Sequence, residues 1–234
     1  MVTLAKGGFL LAGRAARVPG AVLWDMDGTL VDSTEYHYLA WRETLSRRGG
    51  KEISREEFLA TFGQRNDVVV RGFLGQGVPE QEVATIAQEK EARYRELVRQ
   101  RGIALLPGVA RWLERLSERG FAQALASSAP RANVEAVLAA TGIGHYFAAI
   151  VAGEDVQHGK PHPEVFLLAA QRLGMPPERC VVVEDAPPGL EAARRAGMRS
   201  IGVCSNRAGL QADIVVGSLE ELPEDVFEQL LGRG

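Results

Sequence analysis

Cysteine is nearly missing from this chain: Cys180 and Cys204 are the only two. So few thiols give no disulfide framework. Both lie in or beside apolar runs, where a cysteine packs as a small hydrophobe. A reducing, cytoplasmic setting is the expectation. No apolar run approaches the ~20 residues that a membrane-spanning helix requires. Residues 1–18 hold a short apolar stretch, Phe9-Leu10-Leu11-Ala12, but glycines flank it and Arg14 and Arg17 follow. They read as an N-terminal extension and not as a signal peptide. Basic clusters are missing too. The formal net charge is −3, and no basic run is long enough to track a phosphate backbone. Nucleic acid is therefore not expected as a partner. Repeats and low-complexity tracts are also missing. What is there is 46% apolar and 24% charged over 234 residues. That suffices for one large domain or two modest ones with a full core.

Short apolar runs recur at 21–24, 121–126, 148–152, 180–183, 200–204 and 214–216. Helical patterns separate most of them, at 109–118, 131–140, 163–173 and 190–196. Strands alternating with helices predict an α/β fold with a parallel, Rossmann-like sheet flanked by helices. A ligand in such a sheet sits beyond the carboxyl ends of the strands. One interval breaks the rhythm. Segments 34–47, 55–61, 67–74 and 79–101 all read as helices, with no strand among them. Ser54 with Glu57 is a capping-box pattern, and Gly49-Gly50, Gly63, Gly75 and Gly77 mark turns. The expectation is an all-helical insert over 34–103, placed in an α/β core of 19–33 and 104–234. An insert at that point can close over a site as a lid.

Four strand ends carry polar groups of chemical interest. After 21–24 comes Asp25-Met26-Asp27-Gly28-Thr29-Leu30-Val31-Asp32-Ser33. Two carboxylates at the end of a buried strand need a cation or a proton to offset them. A divalent metal and a carboxylate nucleophile fit that need. After 121–126 come Ser127 and Ser128, whose hydroxyls suit a phosphoryl oxygen. Gly159-Lys160-Pro161-His162-Pro163 fixes an ammonium in a turn. After 180–183 come Glu184 and Asp185, then a Pro-Pro-Gly turn into a helix. Each segment alone has a plainer reading: an Asx turn, a helix cap, a solvated lysine, an N-cap aspartate. Together, and in this order, they resemble motifs I to IV of the haloacid dehalogenase superfamily.

That resemblance implies a chemistry. Asp25 is the expected nucleophile and Asp27 the expected general acid and base. Gly28 lets the backbone approach the phosphoryl group. Ser127, with Ser128 as the alternative one residue on, and Lys160 are expected to hold that group. Asp25, Asp27 through its backbone carbonyl, Glu184 and Asp185 are expected to arrange Mg²⁺. The insert matches the small helical cap class, and the run Ser33 to Trp41 is similar to the β-phosphoglucomutase-like subfamily. There the position of His37 couples cap closure to the acid/base aspartate, and Arg65 matches an arginine for a distal phosphate. Lys90 falls near a related cap lysine, although its charge-rich helix equally suits a solvated side chain. Three positions depart from the mutase pattern: Thr29, the cap loop Gly63-Gln64-Arg65, and Pro130-Arg131 where the mutase has a lysine.

The expected function is a Mg²⁺-dependent phosphatase acting on a small phosphorylated metabolite such as a sugar phosphate. A mutase using a sugar bisphosphate is the alternative, and a non-enzymatic phosphometabolite sensor a remote one. A monomer is the expected state.

Overall fold

The computed structural model describes residues 19–49, 52–61, 65–204 and 209–232. The 1–18 extension, Gly50 and the cap-loop residues Gly63 and Gln64 lie outside the described residues.

Strands form where the apolar runs are. They are β1 (Ala21–Trp24), β2 (Ala122–Ala126), β3 (Ala149–Val151), β4 (Cys180–Glu184), β5 (Arg199–Val203) and β6 (Ile214–Val216). They make one parallel sheet in the order β3-β2-β1-β4-β5-β6. Side chains alternate across it, as the two-residue period of a strand requires. Val22, Trp24, Val181 and Val183 join a core cluster on one face, whereas Ala21, Leu23, Cys180 and Val182 join a second on the other. Helices α5 (Val109–Glu118), α6 (Arg131–Thr141), α7 (Glu164–Arg172), α8 (Pro187–Arg195) and α9 (Val226–Gly232) complete this part. Helix α8 begins three residues before the apolar periodicity does. Pro187 at its first position supplies a suitable φ and needs no amide partner there.

Between β1 and α5 the described residues contain four helices and no strand: α1 (Thr34–Arg47), α2 (Arg55–Thr61), α3 (Asn66–Leu74) and α4 (Glu80–Arg101). Asp32 Oδ1 accepts the Thr34 amide at 3.0 Å and opens α1. The capping box at α2 is formed, with Ser54 N donating to Glu57 Oε2 at 2.9 Å and Glu57 N to Ser54 Oγ at 3.2 Å. The insert has its own core of Trp41, Leu45, Ile53, Phe58, Val69, Val70, Val83 and Ile86. It also shares one. Leu39 and Ala40 of α1 and Tyr94, Leu97 and Val98 of α4 belong to the same cluster as Met26, Leu30 and the β1 side chains.

The sheet order turns at β1, which pairs with β2 on one side and β4 on the other. This crevice is where a doubly wound sheet leaves room for a ligand. Three of the four predicted segments end there.

Candidate active site

The ladder itself assembles the acids. Trp24 pairs with Val183, and the Asp25 amide donates to the Val183 carbonyl at 3.0 Å. Asp25 and Glu184 follow as the next residues of adjacent strands and so point to the same face. Lys160 reaches between them. Its Nζ donates to Asp25 Oδ1 at 2.5 Å and to Glu184 Oε1 at 2.8 Å, and lies 4.9 Å from the Phe166 ring centre. Glu184 Oε2 accepts the Ala186 amide at 2.6 Å. The start of α8 presses close on that carboxylate: a Cβ on Gly189 would stand 1.8 Å from Glu184 Oε1.

Asp185 is held differently. Gly28 adopts φ +87°, a conformation that favours glycine, and a Cβ there would lie 2.0 Å from Asp185 Oδ2. The sequence reading gave Gly28 a close approach to a ligand. The structure shows a close approach to the Asp185 carboxylate, which locks the first and fourth segments together.

Asp25, Glu184 and Asp185 place ligand oxygens within 4.8 Å of one another. Lys160 is the ammonium between them, so acid remains in excess. Burial pushes the Asp25 carboxyl well above the usual range, against the lowering effect of Lys160. Burial and the Glu184 charge push Asp185 up to about 7. Lys160 is raised by its two carboxylates despite its own burial. A cluster of hard oxygen donors that holds surplus negative charge out of water fits a divalent cation such as Mg²⁺.

Asp27 faces the helical insert. Ser33 Oγ donates to Asp27 Oδ1 at 2.5 Å, and His37 Nε2 lies 3.9 Å from the same oxygen. Burial opposes ionisation of Asp27, but His37 and Ser33 more than offset it and hold the carboxyl below its usual range. His37 stacks on Tyr94 with ring centres 4.2 Å apart. Its Nδ1 lies 2.9 Å from Lys90 Nζ, which donates to Glu91 Oε1 at 2.9 Å. Lys90 is thus buried on the site side of α4 and not solvated.

Sequence reasoning missed the groups that keep Lys90 there. Glu91 also accepts from Asn66 Nδ2 at 2.9 Å and from Asn133 Nδ2 at 2.6 Å. Asn133 in turn accepts from Arg95 at 3.0 Å. One signal was available. Asn133 stands one residue before Val134 and four before Val137 on the inward face of α6, where an amide needs a buried partner.

Ser127 is buried where β2 stops, with its amide on the Val151 carbonyl. Its Oγ accepts the Ala129 amide at 3.0 Å, which leaves its O–H to donate elsewhere. Ser128 is exposed. Arg65 is not brought to the acid cluster in this arrangement. Its side chain is 84% exposed and pairs with Asp67 at 3.0 Å.

Residues 19–197 match the family model described as haloacid dehalogenase-like hydrolase. Protein CbbY of Rhodobacter capsulatus is 38% identical over 189 residues, 77% of this chain and 83% of that protein. Fructose-1-phosphate phosphatase YqaB of Escherichia coli K12 is 34% identical over 184 residues, 78% of this chain and 95% of that protein. The crystal structure of β-phosphoglucomutase from Clostridium difficile matches with a TM-score of 0.80 at 27% identity, covering 92% of this chain and 98% of that one.

Proposed function

The chain belongs to the haloacid dehalogenase-like hydrolase family, and from that premise we propose that it is a Mg²⁺-dependent phosphatase of small sugar phosphates. The observation that carries this reading is the acid cluster bridged by Lys160 at the β1/β4 crevice. The name of the fructose-1-phosphate phosphatase among its relatives supports the substrate class.

Asp25 attacks phosphorus, and the bond to the sugar oxygen breaks. Asp27, a carboxylate in the resting site, must take up a proton from solvent before this step and then delivers it to the departing alkoxide. The hydrogen bond from Ser33 and the nearby His37 favour the carboxylate that this leaves. That carboxylate then takes a proton from the water that attacks the phospho-Asp25, and phosphate departs. Lys160 neutralises Asp25 so that an anionic phosphoryl group can approach. Ser127 O–H and the Ser128 amide bind the phosphoryl oxygens, the Ser127 and Ala129 amides being already engaged. Asp25, the Asp27 carbonyl and Asp185 would hold Mg²⁺. Glu184, with both oxygens already engaged, would act through water. When bound, Mg²⁺ supplies charge neutralisation that lets two anions meet.

A mutase is the second reading. It is favoured by the buried His37–Lys90 pair, which ties the insert to the acid/base aspartate. Both readings share nucleophile and acid/base and differ in whether water reaches the intermediate. ³¹P NMR with Mg²⁺ separates them. With fructose 1-phosphate and β-glucose 1-phosphate as substrates, growth of inorganic phosphate alone is expected. Asp25→Asn is expected to abolish it. Glucose 6-phosphate appearing only with a trace of glucose 1,6-bisphosphate would establish the mutase. A panel of sugar phosphates left untouched would defeat both.

A further inference from the structure

We propose that His158, His162 and Glu164 form a binding site for a transition-metal ion of the Zn²⁺ type, on the turn that carries Lys160. The proposal goes beyond the phosphatase reading and does not depend on it. One nitrogen from each histidine and one carboxylate oxygen lie within 4.8 Å of one another. His158 Nδ1 stands 3.1 Å from Glu164 Oε2, and His162 Nδ1 stands 3.8 Å from the same oxygen. A tetrahedral ion with ligands at about 2.0–2.1 Å keeps its donor atoms about 3.3 Å apart. The two imidazole centres are 4.6 Å apart, against roughly 5 Å for two rings sharing one such ion through their nitrogens. Small side-chain rotations bring all three donors onto one ion.

The carboxylate is already fixed. Glu164 accepts the Gln157 amide at 3.1 Å and the His158 amide at 2.9 Å, which closes the turn on itself. The histidines are the accessible part. Their side chains are 63% and 49% exposed, so an ion can enter and a water can fill the fourth position. Two imidazoles with one carboxylate select Zn²⁺, Ni²⁺ or Cu²⁺ over Mg²⁺, which prefers oxygen alone. The all-oxygen cluster around Asp25 has the opposite preference. The two sites therefore sort metals by chemistry. Each histidine is two residues from Lys160, so one ion would pin the turn on both sides of the lysine that bridges Asp25 and Glu184.

The test is calorimetric titration of the full chain with Zn²⁺ in excess Mg²⁺, which fills the oxygen site. One Zn²⁺ per chain is expected. The His158→Ala/His162→Ala double variant is expected to bind at least ~10-fold more weakly, with an unchanged circular dichroism spectrum. In ¹⁵N-histidine spectra the Nδ1 signals of His158 and His162 should move and that of His145 should not. Equal Zn²⁺ binding by the double variant overturns the proposal. So does binding lost in Asp185→Asn but kept in the double variant, because the ion would then sit on the acid cluster. Absence of stoichiometric binding by the natural chain overturns it too.

Discussion

Asp185 is the residue at which the proposed Mg²⁺, a proton and the fold meet. Its carboxyl stands near pH 7 against an ordinary 3.8, chiefly through burial and then through Glu184. Between those values the folded metal-free chain holds a proton that the unfolded chain has lost. Stability from this group therefore falls as pH rises from about 4 to about 7, and is flat above. A divalent cation bound there, as proposed, would replace the proton and remove that penalty. Chelation of Mg²⁺ is accordingly expected to lower Tm more at pH 8 than at pH 6. Mg²⁺ affinity should drop at least about tenfold per pH unit below 7, where the Asp185 proton competes and the raised Asp25 carboxyl can add a second. Scanning calorimetry with and without EDTA across pH checks both. A Tm loss on chelation that grows as pH falls would mean that Asp185 is not the competing group.

At the scale of elements, the strands were legible because each is a short apolar run bounded by polar or glycine residues, and three of them stop at a charged or hydroxyl residue. Trp24 leads to Asp25, Ala126 to Ser127 and Val183 to Glu184. Local pattern sufficed, since the parallel ladder then places those ends side by side. The link between α4 and α6 was not legible. Glu91 sits beside the buried stripe of Val83, Ile86, Tyr94, Leu97 and Val98 on α4, and its partner Asn133 is 42 residues away. The helical period puts Lys90 and Glu91 on that inward stripe, but it cannot name the amide across in α6 that meets them. Burial opposes the Glu91 charge, but Lys90, Asn66 and Asn133 bring its carboxyl from 4.5 down to about 2. A carboxyl lowered on folding contributes stability above 4.5 that is lost as pH falls toward 2. Glu91→Gln leaves Lys90 buried without its counter-charge, for which a loss of about 3–5 kcal/mol is expected. The variant should also lose this acid-dependent slope between pH 4.5 and 2. Urea midpoints measured against pH test both. A variant within about 0.5 kcal/mol of the natural chain would show that Glu91 does not anchor α4 to α6.

Across the whole molecule, the sequence divides the chain into an insert and a core, while the packing ties them together. The insert keeps a private cluster around Trp41 and Phe58, yet α1 and α4 also send Leu39, Ala40, Tyr94, Leu97 and Val98 into the cluster of Met26 and Leu30. The Glu91–Asn133 bond adds a polar staple at the same boundary. Two units that share a core and a buried charge network unfold as one. The tryptophans report on this division, with Trp41 in the insert and Trp24 and Trp112 in the core. Labelling with 5-fluorotryptophan gives each its own ¹⁹F resonance in a single protein. All three native resonances are expected to disappear at the same urea concentration. Early loss of Trp41 would mean that the insert melts on its own. The shared core would then be too weak to couple the halves, and access to Asp25 would be gated by local unfolding of the insert. Coincident loss instead leaves a rigid insert, so any opening over Asp25 must come from residues at its hinges between β1, α1, α4 and α5.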